Sequence, residues 1–140
     1  MNRCVIDASV VTAALLQEKH AGSARVVLTS GAELLAPDLI IAEMGNVIWK
    51  RFTRGELDAD ESTLLLSDCL ALPIALTPSI DLIEPALELA TRTRRTVYDC
   101  LYMALALTSD CTFFTADERL VNSLKTTPLS KYIASIRSAE

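Results

Sequence analysis

Four carboxylates of this chain stand where apolar runs end or are interrupted. Asp7 closes Cys4-Val5-Ile6, and Asp117 comes just after Thr112-Phe113-Phe114-Thr115. Glu43 interrupts the run that begins Leu39-Ile40-Ile41-Ala42, and Asp99 sits in the first turn of the apolar stretch 97–105. Carboxylates within a few ångströms of one another repel, raising their pKa values until a proton or a cation intervenes. The set is oxygen-only, without His or Cys, and so suits hard divalent ions, Mg²⁺ or Mn²⁺ before Zn²⁺. Acids holding one or two such ions drive phosphodiester hydrolysis. One ion acidifies the attacking water and the other stabilises the leaving oxygen.

Each acid also has a plainer reading. Thr96 with Asp99 fits the S/T-x-x-D/E capping box, and Thr115 with Glu118 fits its glutamate form. Asp7 alone is a loop acid able to cap the next helix. Glu43 alone is a flank residue paired with Lys50; at 100° per residue it borders the apolar arc of Ile40, Met44, Val47 and Ile48, with Asn46 and Lys50 extending its polar edge. What favours a shared site is their number: four acids, each beside apolar sequence, at element ends facing one edge.

The elements follow from the apolar spacing. Cys4-Val5-Ile6 reads as a buried strand ending at Asp7. Ser9 caps a helix over 10–16, and a second helix over 20–30 is stopped by Gly31. Leu34-Leu35-Ala36 is a second strand, closed by Pro37. Asp38 caps a long helix through Phe52 with Gly55 as its stop, and Asp58 with Glu61 opens another to about Leu72. Pro73-Ile74-Ala75-Leu76 is a third strand, followed by helices over 80–91 and 97–107. Thr112-Phe113-Phe114-Thr115 is the fourth strand, with a helix from Asp117 and a last edge strand at Tyr132-Ile133. Short apolar strands alternating with helices imply an α/β fold, a short parallel central sheet flanked by helices on both faces. Ligands of such sheets sit beyond the carboxyl ends of the strands, where Asp7, Thr115 and Asp117 fall.

At 140 residues the chain fits one domain over 1–140. Its 51% hydrophobic content excludes a disordered tail, and 4 Gly with 5 Pro leave little room for a turn-rich sandwich or barrel. Cys4, Cys69, Cys100 and Cys111 form no C-x-x-C pair, and His20 is the only histidine. A Cys/His zinc site and a Ser-His-Asp triad are therefore disfavoured, and the thiols read as small buried groups in a reducing cytosol. Asp7 falls where a signal peptide needs an apolar run, and nothing approaches the roughly 18 apolar residues of a membrane span. The expected location is the cytoplasm, away from membranes.

Four segments then carry a resemblance, in order and spacing. They are Val5-Ile6-Asp7-Ala8-Ser9, Pro37-Asp38-Leu39-Ile40-Ile41-Ala42-Glu43-Met44-Gly45-Asn46-Val47, Val97-Tyr98-Asp99-Cys100-Leu101-Tyr102-Met103-Ala104-Leu105-Ala106 and Thr115-Ala116-Asp117-Glu118-Arg119-Leu120. Together they resemble the motifs of PIN-domain nucleases, most closely the VapC-type toxins of toxin–antitoxin pairs. The resemblance implies a single PIN-like domain in which Asp7, Glu43, Asp99 and Asp117 bind the metal, Mg²⁺ or Mn²⁺. It gives Ser9 and Thr115 the task of orienting water and ligands, and places Asn46 at the polar position one turn beyond the helical acid. It further implies a metal-dependent endoribonuclease of toxic type, commonly dimeric and inhibited by a cognate antitoxin encoded beside it.

An RNA enzyme with a net charge of −5 needs local positive charge. Lys50, Arg51 and Arg54 end the Glu43 helix, and Arg92, Arg94 and Arg95 precede the Asp99 helix. Arg94, Arg95 and Arg119 are the leading candidates for RNA or antitoxin contact, with Asn46 beside the acids. Tyr98 is read as a core or interface ring before a base-stacking one. The aliphatic surplus of Leu64-Leu65-Leu66, Leu70-Ala71-Leu72 and Leu82-Ile83 points to a homodimer. Two readings compete: a free-standing PIN-type nuclease of RNA processing, and a receiver-like, Mg²⁺-binding phosphoacceptor. The second expects paired acids after the first strand and a lysine where Asp117 stands.

Overall fold

The computed structural model describes residues 1–139. Five parallel strands form one sheet: β1 (Arg3–Ile6), β2 (Glu33–Pro37), β3 (Ile74–Thr77), β4 (Thr112–Thr115) and β5 (Ile133–Ser135), in the order β3-β2-β1-β4-β5. Between them run α1 (Ala8–Leu15), α2 (Ala21–Leu28), α3 (Leu39–Thr53), α4 (Ala59–Leu70), α5 (Ile83–Thr93), α6 (Val97–Ser109) and α7 (Glu118–Leu124). The expected α/β architecture is the observed one.

Cys4, Val5 and Ile6 are fully buried because β1 is the central strand, covered on both faces. From β1 the chain steps outward to β2 and β3, then returns past both to β4 and β5. Parallel crossovers are right-handed, so the two runs place α1–α4 on one face and α5–α7 on the other. The packing agrees: α1 lies on α2 and α3, α3 on α4, and α5 on α6, which crosses β1, β2 and β4. Every residue of α6 from Cys100 to Ala106 is buried, which explains why that helix lacks a polar face.

The reversal of winding falls between β1 and β4. Loops leaving these two strands part toward opposite faces and open a crevice at their carboxyl ends. This strand order is not the 2-1-3-4-5 order of receiver-like sheets, and it sets the phosphoacceptor reading aside.

Several local expectations are corrected. Asp7, not Ser9, caps α1. The helix expected over 20–30 is the shorter α2, entered through His20 at φ 68°. The stretch expected as one helix over 80–91 divides into a 3₁₀ turn, Ser79–Asp81, and α5. Asp38 precedes α3 without capping it; its carboxylate accepts from Ser79 N–H at 3.1 Å and from the Ser79 hydroxyl, tying the loop after β2 to the loop after β3. Asp58 and Glu61 do form their capping box. Leu65 and Leu82 belong to the core, leaving Leu64, Leu70 and Ile83 exposed, so the leucine-rich stretches offer less free surface than the sequence suggests. All four cysteines are free thiols, three of them buried. Among the described residues no helix is long and apolar enough to cross a membrane.

Candidate active site

The site is built on the loops that follow β1 and β4. Ile6 and Phe114 are register partners, so Asp7 and Thr115, each one residue further on, emerge side by side. Asp7 Oδ1 accepts from the N–H groups of Ser9 and Val10 at 3.1 and 3.3 Å and from the Ser9 hydroxyl at 2.5 Å. The Thr115 hydroxyl donates to Asp7 Oδ2 at 2.6 Å and accepts from Asp117 N–H at 3.1 Å. Ser9 Oγ in turn accepts from Ala116 N–H at 3.0 Å. Asp117 caps α7, its Oδ1 accepting from Arg119 and Leu120 N–H at 3.1 and 3.2 Å. Two short hydroxyl residues thus lace the two loops together around one carboxylate.

The other two acids come from opposite faces of the sheet. Glu43 projects from α3, and the phenol of Tyr102 on α6 donates to its Oε1 at 2.5 Å. Asp99 lies in the first turn of α6, where its N–H donates to Thr96 Oγ1 at 3.1 Å. Thr96 therefore supplies the cap. Thr115 and Glu118 form no capping box: Thr115 serves Asp7, while Glu118 accepts from the Ser135 hydroxyl at 2.5 Å.

Burial pushes the Asp7 carboxyl up to about 6, against hydrogen bonds from Ser9, Thr115 and Val10, and the charge of Glu43 adds to the rise. Burial likewise raises Glu43, with Tyr102 opposing and Asp99 adding to the rise. Asp99 is raised by burial and by Asp117, with Thr96 and Arg95 opposing. Like-charge coupling therefore runs from Asp7 to Glu43 to Asp99 to Asp117. Such coupled, desolvated acids at a cleft mark a functional site more often than a structural one.

All four acids line one cleft of about 800 Å³, together with Ser9 and Asn46. Lys19, His20, Lys50, Arg51 and Arg54 also line it. Arg94, Arg95 and Arg119 do not. Arg94 is taken up in the left-handed turn that ends α5, and Arg95 is near enough to Asp99 to lower its pKa. Tyr98 lines the cleft at 63% exposure, so it is not a core ring.

Tyr102 escaped the sequence reading because it sits inside an aliphatic run. The signal was its spacing, three residues beyond Asp99, which puts both side chains on one side of α6. Its ring is buried and stacks on Phe113 with centroids 5.3 Å apart. Burial, then Glu43, push the phenol's pKa far above the usual range, so it stays a donor. Tyr102→Phe should keep the fold and raise the Glu43 pKa further, because a hydrogen bond to the charged form is lost. A ¹³C-carboxyl NMR titration reads this directly; an unchanged Glu43 value removes Tyr102 from the site.

The donor set fits a hard cation. Among the described residues no three His, Cys, Asp or Glu side chains converge tightly enough to enclose an ion by themselves. Zn²⁺ asks for three or four protein donors, whereas Mg²⁺ keeps several waters and needs only one or two carboxylates. An open, oxygen-only cleft suits the second.

A PIN domain family model matches residues 4–123. The chain belongs to the PIN domain family, as the order of its motifs implies. Ribonuclease VapC3 of Pyrobaculum aerophilum is 31% identical over 120 residues, spanning 84% of this chain and 92% of its own length. Ribonuclease VapC1 of Mycobacterium tuberculosis is 32% identical over 124 residues, 86% of this chain and 90% of the relative. Among solved structures, PAE2754 of Pyrobaculum aerophilum superposes with a TM-score of 0.70 at 22% identity, covering 97% of this chain and 92% of that one. Mycobacterium tuberculosis VapC20, a sarcin–ricin-loop-cleaving toxin, does so with 0.60 at 14% identity, covering 81% and 87%. These two likenesses speak for the fold.

Proposed function

We propose that the chain is a VapC-type endoribonuclease, the toxin of a toxin–antitoxin pair, and that it hydrolyses RNA phosphodiester bonds in this cleft. The observation behind it is that four acids from four separate elements line one crevice at the winding reversal of a PIN fold. Asp7, Glu43, Asp99 and Asp117 are the residues to hold Mg²⁺ or Mn²⁺. When bound, such an ion supplies positive charge against the phosphate and acidifies the attacking water.

The remaining residues position these acids. Ser9 and Thr115 fix the two oxygens of Asp7, and the wholly buried Thr115 acts from beneath without reaching substrate. Tyr102 fixes one oxygen of Glu43. Asn46, on the cleft wall, offers an amide to phosphate or to the antitoxin.

The test is cleavage of RNA by protein freed of antitoxin. Activity with Mg²⁺ or Mn²⁺ should stop when EDTA is added; cleavage undiminished in excess chelator removes the mechanism. The same reading assigns an inhibitory antitoxin and a homodimer. Size-exclusion of the protein co-expressed with its neighbouring gene should show two copies bound to a small partner, and a lone monomer refutes both.

A further inference from the structure

The cleft is electrically two-sided, and its second end has no role in holding a metal. That end carries four cations, Lys19, Lys50, Arg51 and Arg54, against the single carboxylate of Glu18. Arg51 is already spent: it pairs with Glu18 and, at 2.9 Å, with Glu56. Lys19, Lys50 and Arg54 stand in no ion pair among the described residues. By consuming the local acid, the Arg51 bridges leave their neighbours' charge unopposed.

The placement of Lys50 and Arg54 follows from one helix. They lie seven and eleven residues beyond Glu43, Lys50 in the last turn of α3 and Arg54 at its C-terminal cap, and at 100° per residue both fall within about 20° of the direction of Glu43. At about 1.5 Å of rise per residue, they stand roughly 10 and 16 Å along the helix from that acid. A stacked strand rises about 3.4 Å per nucleotide, so this distance covers roughly three to five nucleotides. The same helix face thus carries a site acid at one end and unpaired cations at the other.

We infer that the cleft is a one-sided track for single-stranded RNA. The scissile phosphate lies at the acids, and the strand on one flank runs along α3 with its phosphates on Lys50 and Arg54, Lys19 facing them. Every Lys and Arg that lines the cleft belongs to this flank, which makes recognition asymmetric about the cut. This rests on the nuclease reading and extends it to how substrate is held. It also moves the phosphate contacts away from Arg94, Arg95 and Arg119, which lie off the cleft wall.

The probe is a fluorescent single-stranded oligoribonucleotide of 12 random nucleotides, with Ca²⁺ in place of Mg²⁺, titrated across KCl concentrations by anisotropy. Each lost phosphate contact lowers the magnitude of the log Kd against log salt slope by about 0.7 for a single strand. The Lys50→Gln/Arg54→Gln protein should therefore lose about 1.4 from its slope and bind ten- to hundredfold more weakly at 50 mM salt. Arg3→Gln/Lys125→Gln, which removes two cations off the cleft, should keep the wild-type slope. A wild-type slope in Lys50→Gln/Arg54→Gln, with Mg²⁺-dependent cleavage intact, overturns the track but leaves the nuclease reading standing. That outcome assigns the basic end to an acidic segment of a protein partner. Transfer of the loss to Arg94→Gln/Arg95→Gln also overturns it. Wild-type protein that neither binds nor cleaves RNA overturns both.

Discussion

Without divalent ions the protein should lose stability as the pH rises from 4 to 7, and Mn²⁺ should restore it. The cause is Asp7, whose carboxyl is raised from 3.8 to about 6 by burial. Between those values the folded state binds more protons than the unfolded state, so the slope of unfolding free energy against pH is negative. Below about 4 both states are protonated and the group contributes nothing; above about 6 the full cost is present. A rise of about two units corresponds to about 3 kcal/mol, and the raised Glu43 and Asp99 add in the same direction. An ion that binds the ionised cluster only in the folded state offsets this cost by mass action. Asp7→Asn keeps an oxygen for the N–H groups of Ser9 and Val10 but cannot ionise. Its metal-free melting temperature should match or exceed wild type at pH 7, come level with it near pH 4, and respond less to Mn²⁺. Cleavage should drop by orders of magnitude, since metal placement and phosphate neutralisation go together. Parallel pH dependences of melting for the two proteins, with no Mn²⁺ effect on wild type, would rule out a strained carboxylate at this position.

Some of this site is legible in the chain because single elements determine it. Asp7 follows directly on the apolar run Cys4-Val5-Ile6, so its place at the sheet edge is a local fact. Asp117 is placed by the same logic after β4. Lys50 shares the face of Glu43 by helical periodicity alone. Other features depend on which elements meet. Asp38 has the spacing of a helix cap, yet its carboxylate goes to Ser79, a partner 41 residues away that no local pattern announces. Leu65 and Leu82 look like surplus surface until α4 and α5 are docked, when they become core. Arg94 and Arg95 precede a site acid in sequence, but α5 ends there in a left-handed turn and neither reaches the cleft wall. Tyr102 stands in an aliphatic run and is buried with it; its second task exists only because α3 and α6 come from opposite faces to one crevice. Sequence therefore reports which acids face the edge, and tertiary packing decides what holds them.

Asp99 is the acid whose place in the sequence reads most readily as a helix end, and its substitution has the second large effect. The structure already assigns the cap to Thr96, whose hydroxyl oxygen accepts from Asp99 N–H at 3.1 Å. Asp99→Asn leaves that bond intact and removes only the carboxylate's attraction to the helix N-terminus, about 0.3–1 kcal/mol. Against this stands relief from burial and from repulsion by Asp117, the two causes that raise the Asp99 pKa. The metal-free variant should therefore melt at or above the wild-type temperature at neutral pH. Added Mn²⁺ should stabilise it less than wild type, because a ligand stabilises only as far as it binds the folded state. Activity should fall by orders of magnitude, since a displaced ion serves neither the attacking water nor the leaving oxygen. Melts with and without Mn²⁺, run beside a cleavage assay, separate the two roles. Near-wild-type cleavage with an undiminished Mn²⁺ shift would return Asp99 to the helix end and leave Asp7, Glu43 and Asp117 to hold the ion. Lost cleavage with a diminished shift, and no loss of metal-free stability, places its carboxylate among the ligands.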